Sequence, residues 1–169
     1  MFKILRLAVV AVLLTSALQT SKAEVGAAFT QGRSRLSLGG GYGSFNNHSY
    51  GVVGIGAGYY VLDGLEAGVD GEAWLGDKPH IYTISPEVRY IVTQMQSFKP
   101  YLGAFYKRTF YDTLDNTNSF GGRAGFISPV SEHAYLSAGL VFEHINNCNK
   151  NLYDDCSLVY PELGISLSY

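Results

Sequence analysis

Hydrophobic and polar residues alternate along most of the chain, in segments of about ten residues that polar turns separate. Side chains of a β-strand point alternately to its two faces, so this alternation predicts strands with one apolar and one polar face. From residue 34 onward the pattern predicts eight strands, at residues 34–45, 50–62, 65–75, 80–92, 99–111, 120–130, 134–145 and a last one after residue 157. No segment shows helical periodicity, and residues 24–33 are either a lead-in or the start of the first strand.

Two strands leave alternatives open. Pro86 falls on the apolar face of the fourth strand, where its missing N–H predicts a bulge or a locally unpaired position. Lys107 and Arg108 are neighbours in the fifth strand, so only one of them can point to the polar face. The register of the fifth strand therefore stays open.

Residues 1–23 have the features of a cleaved signal peptide. Lys3 and Arg6 precede an apolar run over residues 7–18, and Ser21 and Ala23 supply the small residues of a cleavage site. The run is shorter than the ~20 residues of a transmembrane helix, which leaves an uncleaved anchor as the alternative. The sequence thus predicts an exported chain with a single domain at residues 24–169.

The composition of the chain argues against nucleic acid as a partner. Removing Lys3, Arg6 and Lys22 lowers the basic residues from 12 to 9 against 14 acidic ones, a net charge of −5. A nucleic-acid-binding domain needs a basic surface, so we expect no nucleic acid as partner. The 13 Tyr, 9 Phe and 20 Gly, without a long apolar run in this domain, are typical of a transmembrane β-barrel with aromatic rings at both membrane interfaces.

The last strand supplies the clearest single motif. Leu163, Ile165, Leu167 and Tyr169 share one face, and Glu162 lies on the other. This motif resembles the final strand of bacterial outer-membrane barrels, whose terminal aromatic residue and alternating apolar positions are recognised by the barrel-assembly machinery. The resemblance implies that these four residues form an assembly signal and that the last strand pairs with the first, near Leu36 and Leu38.

As a whole, residues 24–169 resemble the small outer-membrane barrels of the OmpA/OmpX type. The resemblance implies an all-β fold, an eight-stranded antiparallel up-and-down transmembrane β-barrel, located in the bacterial outer membrane. The outer connections would be residues 46–49, 76–79, 112–119 and 146–157, and the inner ones residues 63–64, 93–98 and 131–133; the two longest lie outside, as such barrels require. A periplasmic ligand-binding barrel of the lipocalin type, or a soluble sandwich, is the alternative.

The charged residues of the strands collect on the polar face. A barrel of eight strands has an interior that side chains fill, and buried charges must be paired, so these residues predict an ion-pair network in the lumen. Glycines at alternating positions of the first two strands either make room for large side chains or leave space for water. The predicted network consists of Arg35, Glu66, Asp70, Glu72, Glu87, Arg89, Arg123, Glu143 and Glu162, with one of Lys107 and Arg108.

The two cysteines, Cys148 and Cys156, lie in the longest predicted outer loop. An even number of cysteines in an exported chain predicts a disulfide, although metal ligation with His144 is a rival. Three ligands without a C-x-x-C pair make a poor zinc site, so we expect no metal and no other cofactor. The disulfide would close a surface loop.

A lipid-modifying enzyme is a further hypothesis for the function. Residues 144–147 are similar to the H-x-S-N motif of the lipid A deacylase barrels, but Asn146 occupies the place of the nucleophilic Ser. We therefore predict no enzymatic activity. The favoured function is a structural or surface-interaction role, with lipid and lipopolysaccharide around the barrel, loop 146–157 as the contact surface for an extracellular ligand, and a monomeric state. A narrow cation-preferring channel is the alternative.

Overall fold

The structure, a computed structural model, describes residues 27–45, 48–76, 79–95, 97–112, 115–146, 148 and 156–169. The predicted signal peptide and most of loop 146–157 lie outside the described residues. Eight strands form one closed antiparallel barrel in which every strand pairs with its neighbours in sequence and β8 pairs with β1. The strands are β1 Ser34–Phe45, β2 His48–Leu62, β3 Leu65–Leu75, β4 Ile81–Ile91, β5 Lys99–Tyr111, β6 Thr117–Pro129, β7 Ala134–Ile145 and β8 Ser157–Ser168.

The predicted fold class is confirmed, and the strand bounds differ mainly in β2, β4 and β6. β2 begins at His48, two residues before its predicted start, and β4 is shorter than predicted at both ends. β6 begins at Thr117, inside the stretch that was predicted to be an outer loop. Thr117 pairs with Thr109 of β5, because polar side chains do not prevent a ladder from continuing at the end of a barrel.

The exterior of the barrel is an apolar surface bounded by two rings of aromatic side chains. One ring lies near the outer ends of the strands and the other near the inner ends, with exposed Leu, Ile and Val between them, as in transmembrane barrels. Arg108, at the outer end of β5, is the one charged side chain on the outer face of the described strands. The outer ring includes Tyr42, Tyr82, Phe110, Phe120 and Phe142, and the inner ring includes Tyr59, Tyr90, Phe126 and Tyr169.

Closure of the barrel depends on β1 and β8. Leu36 pairs with Leu167 and Leu38 with Ile165, so the prediction that the last strand lies beside the first is confirmed. Below these pairs, the amides of Ser34 and Tyr169 each donate to the other residue's carbonyl, at 3.1 and 3.0 Å. Among the described residues, no helix is long and apolar enough to cross a bilayer.

The fifth strand has one clear register. Lys107 is buried inside the barrel, whereas Arg108 is exposed and its guanidinium lies 5.5 Å from the ring centre of Phe110. Pro86 interrupts the ladder between β4 and β5, where pairing stops after Ile84 and resumes at Glu87 without a change of register. Of the two predictions for Pro86, the locally unpaired position is therefore the one observed, and no bulge forms there.

Candidate functional site in the barrel interior

The centre of the interior is a carboxylate surrounded by arginines. Glu87 of β4 is 2.9 Å from Arg35 of β1, 2.9 Å from Arg89 on its own strand and 3.2 Å from Arg123 of β6. Its side chain is 1% exposed. These residues come from strands on different sides of the barrel, so the contacts cross the lumen and fill it with paired charge.

Three further carboxylates surround this centre. Glu66 accepts a hydrogen bond from Nε of Arg35 at 2.7 Å, and Asp70 lies 3.1 Å from Arg123. Glu162 lies 3.4 Å from Arg123 and accepts a 2.5 Å hydrogen bond from the hydroxyl of Tyr101. Each arginine therefore has more than one carboxylate partner or shares Glu87, which offsets the cost of removing these charges from water.

A second charged group lies nearer the outer end of the lumen. Glu143 accepts hydrogen bonds from Lys107 at 2.8 Å, from Ser119 at 2.6 Å and from the Tyr160 hydroxyl at 2.7 Å. Glu72 is 3.8 Å from Lys107 and accepts a hydrogen bond of 3.2 Å from Thr83. Glu72 is thus held more loosely than Glu143.

Inward glycines of β2 create the space that two of these acids occupy. A Cβ at Gly58 would collide with the carboxylate of Glu66, and one at Gly56 would collide with Asp70 and with Ser37. Of the two roles considered for these glycines, making room for side chains is the one seen in β2. The side chains that occupy this space are acidic.

Tyr101 reaches its acceptor across two more glycines. Tyr101, Gly125, Gly139 and Glu162 are paired in turn across β5, β6, β7 and β8. The Tyr101 hydroxyl lies over both glycines, at positions that an added Cβ would occupy. Only residues without a side chain permit this path, so the bond between Tyr101 and Glu162 depends on Gly125 and Gly139.

We expect Gly139→Val to destabilise the barrel by about 1–3 kcal/mol, because the added side chain displaces Tyr101 and leaves Glu162 with one partner fewer. Unfolding by urea in lipid vesicles, followed by heat-modifiable gel migration, measures the change. Gly122→Val is the matched control, since a Cβ at Gly122 meets only the carbonyl of Gly103 at an ordinary 3.5 Å. Equal stability of the two variants would contradict the proposed role of Gly139.

The inner end of the lumen is closed by an aromatic cluster. The chain before β1 forms a short 3-10 helix, Ala27–Phe29, so the lead-in considered from the sequence is what the described part of residues 24–33 shows. Phe29 is 2% exposed and packs edge-on against Tyr60 and Tyr135 at centroid distances of 5.8 and 4.9 Å. Ile91, Tyr101 and Ile127 complete the cluster.

Comparisons with known proteins fit this architecture. The chain matches no family model and no curated protein. Among solved structures it is similar to the N-terminal β-barrel domain of Pseudomonas aeruginosa OprF, with 16% identity and a TM-score of 0.60, over 82% of this chain and 98% of that one. Neisserial surface protein A gives 20% identity and a TM-score of 0.61, over 81% of this chain and 96% of that one. The outer membrane protein OprG from Pseudomonas aeruginosa gives 15% identity and a TM-score of 0.52, over 84% of this chain and 98% of that one.

The chain has the fold of the small eight-stranded outer-membrane barrels. All nine charged residues predicted to face the lumen of this barrel point inward, and each makes at least one ion pair. Lys107 is the basic residue of the fifth strand that joins them. The four residues of the predicted assembly signal, Leu163, Ile165, Leu167 and Tyr169, are exposed on the outer face of the barrel.

Some residues of the charged interior were missed in the sequence. Tyr101, Tyr160 and Ser119 donate hydrogen bonds to its carboxylates, but Tyr was assigned to the membrane interfaces. The face of the strand on which each residue lies could have identified them, because residues an even number of positions apart share one face. Tyr160 lies two residues from inward Glu162, and Tyr101 lies six residues from Lys107, so each shares its neighbour's face.

The disulfide of the outer end is confirmed. Cys148 and Cys156 are bonded at a sequence separation of 8, and the amide of Ile145 donates to the carbonyl of Cys156 at 2.9 Å. Within the described ranges, no group of three or more His, Cys, Asp and Glu side chains is arranged to hold a metal ion. The bond joins the end of β7 to the start of β8 and closes the base of loop 146–157.

A serine that the motif comparison did not find lies beside His144. His144 Nδ1 is 2.9 Å from the hydroxyl of Ser157, its pairing partner on β8. Both residues lie on the outer face of the barrel, and His144 also contacts the ring of Phe120 at 5.4 Å. In the part of the chain that the structure describes, no carboxylate lies within ion-pair distance of His144, so a nucleophile–base–acid arrangement is incomplete.

Proposed function

We propose that the protein is an integral protein of the bacterial outer membrane with a structural or surface-interaction role. Its exterior supports this location, because the apolar surface between two aromatic rings is suited to a bilayer and not to water. Lipid and lipopolysaccharide would surround the barrel, and the barrel-assembly machinery would insert it. The protein would act as a monomer, without a cofactor and without an enzymatic role.

One observation carries the choice of this role over that of an open pore. The lumen is blocked at two successive levels, first by the aromatic cluster around Phe29 and then by the ion pairs around Glu87. An ion crossing the barrel would have to displace both. A barrel of this kind is better suited to presenting its outer end than to conducting solutes.

The contact surface in this proposal is the outer end, and chiefly loop 146–157. It is the longest connection of the chain, and the disulfide between Cys148 and Cys156 holds its ends together. Closing a loop of this size with a disulfide lowers the entropy that the loop loses on binding a partner. An extracellular ligand would therefore meet a surface that is partly organised beforehand.

Exchanging the loop distinguishes the surface-interaction role from the structural role. If the loop makes the contact, replacing residues 149–155 by a Gly/Ser linker of equal length should abolish cell adhesion and aggregation that depend on the protein. The barrel itself should keep its heat-modifiable migration. An equal exchange of residues 113–114 serves as the control. If detergent sensitivity of the cells changes only when the whole protein is absent, the role is structural.

The narrow cation-preferring channel is the second candidate. It is favoured by six lumen carboxylates, Glu66, Asp70, Glu72, Glu87, Glu143 and Glu162, against four basic partners, Arg35, Arg89, Lys107 and Arg123. Planar-bilayer recording with the purified protein distinguishes the candidates. We expect no conductance steps above the lipid background, because both closed levels persist. Steps with cation selectivity would instead establish the channel.

A further inference from the structure

The interior of the barrel contains a cavity of about 610 Å³. Charged side chains of the lumen lie on its floor, and Trp74, Ile81 and Tyr111 line its wall nearer the outer end. Cavities of this size hold small molecules in many proteins. The aromatic cluster around Phe29 closes the inner end of the lumen, and none of its members lines this cavity.

Glycines of β1 explain why the space is present. Gly39 and Gly41 line the cavity, and a Cβ at Gly41 would have no atom within 4 Å. At Gly56 and Gly58 of β2, by contrast, acidic side chains occupy the corresponding positions. Glycines of β1 therefore leave open space next to β8, whereas Gly56 and Gly58 of β2 leave room that acidic side chains of β3 fill.

The wall of the cavity is incomplete between β1 and β8. Their ladder ends at Gly40 and Leu163, although β1 remains paired with β2 as far as Phe45 and β8 with β7 from Ser157. The lining of the cavity includes Leu38 and Leu163, which belong to the lipid-facing surface. We call the stretch beyond Gly40 and Leu163 the β1/β8 gap.

Pro161 gives the gap a cause in the sequence. The amide of Ser168 donates to the carbonyl of His133, just before β7, and the amide of Tyr169 donates to the carbonyl of Ser34, the first residue of β1. Donor direction alternates along an antiparallel strand, so odd-numbered residues of β8 direct their N–H toward β1. Pro161 is the first odd-numbered position beyond Leu163 and has no N–H, which removes the donor that would extend the ladder.

Unpaired backbone is costly in the hydrocarbon region unless it is buried in protein or lines a water-filled cavity. The β1/β8 gap meets this condition, since Pro161, Glu162 and Gly41 all line the cavity. The gap therefore joins a partly polar interior to the lipid-facing surface. A molecule with both a polar and an apolar part suits such a site.

The accessible charge of the cavity is negative. The carboxylate side chains of Glu72, Glu162 and Asp70 are 27%, 24% and 17% exposed. The lining bases are more deeply buried, with Arg123 at 9% and Lys107 at 6% exposure. A ligand entering the cavity would therefore meet carboxylates before it meets bases.

The aromatic lining is also suited to a cation. Trp74 lies beside Tyr50 with a centroid distance of 5.8 Å, and Tyr111 packs against the same cluster. Trp74, Tyr111 and Tyr160 all line the cavity, and aromatic faces attract organic cations. Charge and lining thus select the same ligand chemistry.

We propose that the cavity binds a small amphipathic organic cation. Its ammonium group lies at Glu72 and Glu162, and its apolar part occupies the β1/β8 gap, through which it enters from the outer leaflet. The proposal concerns a site inside the barrel wall and does not depend on whether loop 146–157 contacts a partner. Failure of either proposal leaves the other standing.

Trp74 is the only tryptophan of the chain, so its fluorescence reports directly on the cavity. The purified protein is titrated in dodecyl maltoside, an uncharged detergent, with octyltrimethylammonium and with octanesulfonate. We expect a saturable change for the ammonium ion and at least about tenfold weaker binding of the sulfonate, because the carboxylates that attract the ammonium ion repel the negative sulfonate. Equal responses to both, or no saturable response to either, would overturn the proposal.

Glu72→Gln tests the ammonium subsite, because it removes an accessible charge while retaining the size of the side chain. We expect roughly tenfold weaker binding of octyltrimethylammonium, because the cation loses the attraction of one carboxylate charge. Glu132→Gln, in the exposed turn before β7, is the matched control and should bind as the unaltered protein does. Unchanged affinity in Glu72→Gln would contradict the assignment of this residue.

Pro161→Val tests the gap by restoring the missing N–H. The β1–β8 ladder should lengthen, and association of octyltrimethylammonium should slow several-fold in stopped-flow fluorescence. Pro86→Val, which restores a donor between β4 and β5 away from the gap, is the control. If Pro161→Val leaves the association rate unchanged while its heat-modifiable migration is normal, entry through the gap is wrong.

A second variant keeps the test decisive if Pro161→Val fails to fold. Gly41→Phe places a ring in open cavity space and should abolish binding. Ala104→Phe adds the same ring to the exposed outer face of β5 and should bind normally. Normal binding in a folded Gly41→Phe variant would place the ligand elsewhere and overturn the proposal.

Discussion

Replacing Glu87 by Gln is expected to destabilise the barrel by about 3–5 kcal/mol, although the side chain keeps its shape. Glu87 lies within 3.2 Å of Arg35, Arg89 and Arg123, so the substitution removes a negative charge shared by three buried cations. An amide can accept hydrogen bonds but cannot balance that charge. Urea unfolding in lipid vesicles, followed by heat-modifiable gel migration, measures the loss.

Glu132→Gln is the control for this measurement too, because Glu132 is exposed in the turn before β7. A substitution at such a position should change the free energy of unfolding by no more than about 0.5 kcal/mol. If Glu87→Gln were equally mild, water in the lumen and not Glu87 would be balancing the arginines. The description of the ion pairs as structural would then be wrong.

Replacing Tyr169 by Ala is expected to lower the amount of folded protein in the outer membrane several-fold. We propose that its ring belongs to the assembly signal formed with Leu163, Ile165 and Leu167. The ring is 55% exposed, whereas the backbone of Tyr169 closes the barrel through two hydrogen bonds with Ser34. Removing the ring leaves those bonds in place and separates recognition from stability.

Refolding of the purified protein in lipid vesicles provides the comparison with insertion in cells. Purified Tyr169→Ala should refold in lipid vesicles with a free energy of unfolding within about 1 kcal/mol of the unaltered protein. Tyr90→Ala removes another exposed ring from the inner aromatic ring and should insert normally in cells. Equal insertion of the two variants in cells would show that Tyr169 has no special role in assembly.

The faces of the strands could be predicted because they depend only on sequence neighbours. The two-residue alternation identified the nine lumen charges of the predicted network, and turn residues separated the eight strands. Lys107 and Arg108 show the limit of this reasoning. Either residue fits the local pattern, and only pairing with Ser119 and Asn118 of β6 fixes which one points inward.

Pro161 shows a different limit. The sequence reveals that it cannot donate to a ladder, but not which neighbour loses the donor. That depends on which amides of β8 point toward β1, and therefore on how the barrel closes. The position of the β1/β8 gap follows only from the pairing of Ser34 with Tyr169.

The sequence by itself determined the strand number, the two faces of each strand and the residue types of the lumen. These features follow from local chemistry, namely alternation, turn residues and the exclusion of charge from a lipid-facing surface. Tertiary structure alone decided which charges pair, which glycines leave open space and where the wall is incomplete. Those outcomes depend on the register between strands and on contacts across the lumen, which join residues far apart in the sequence.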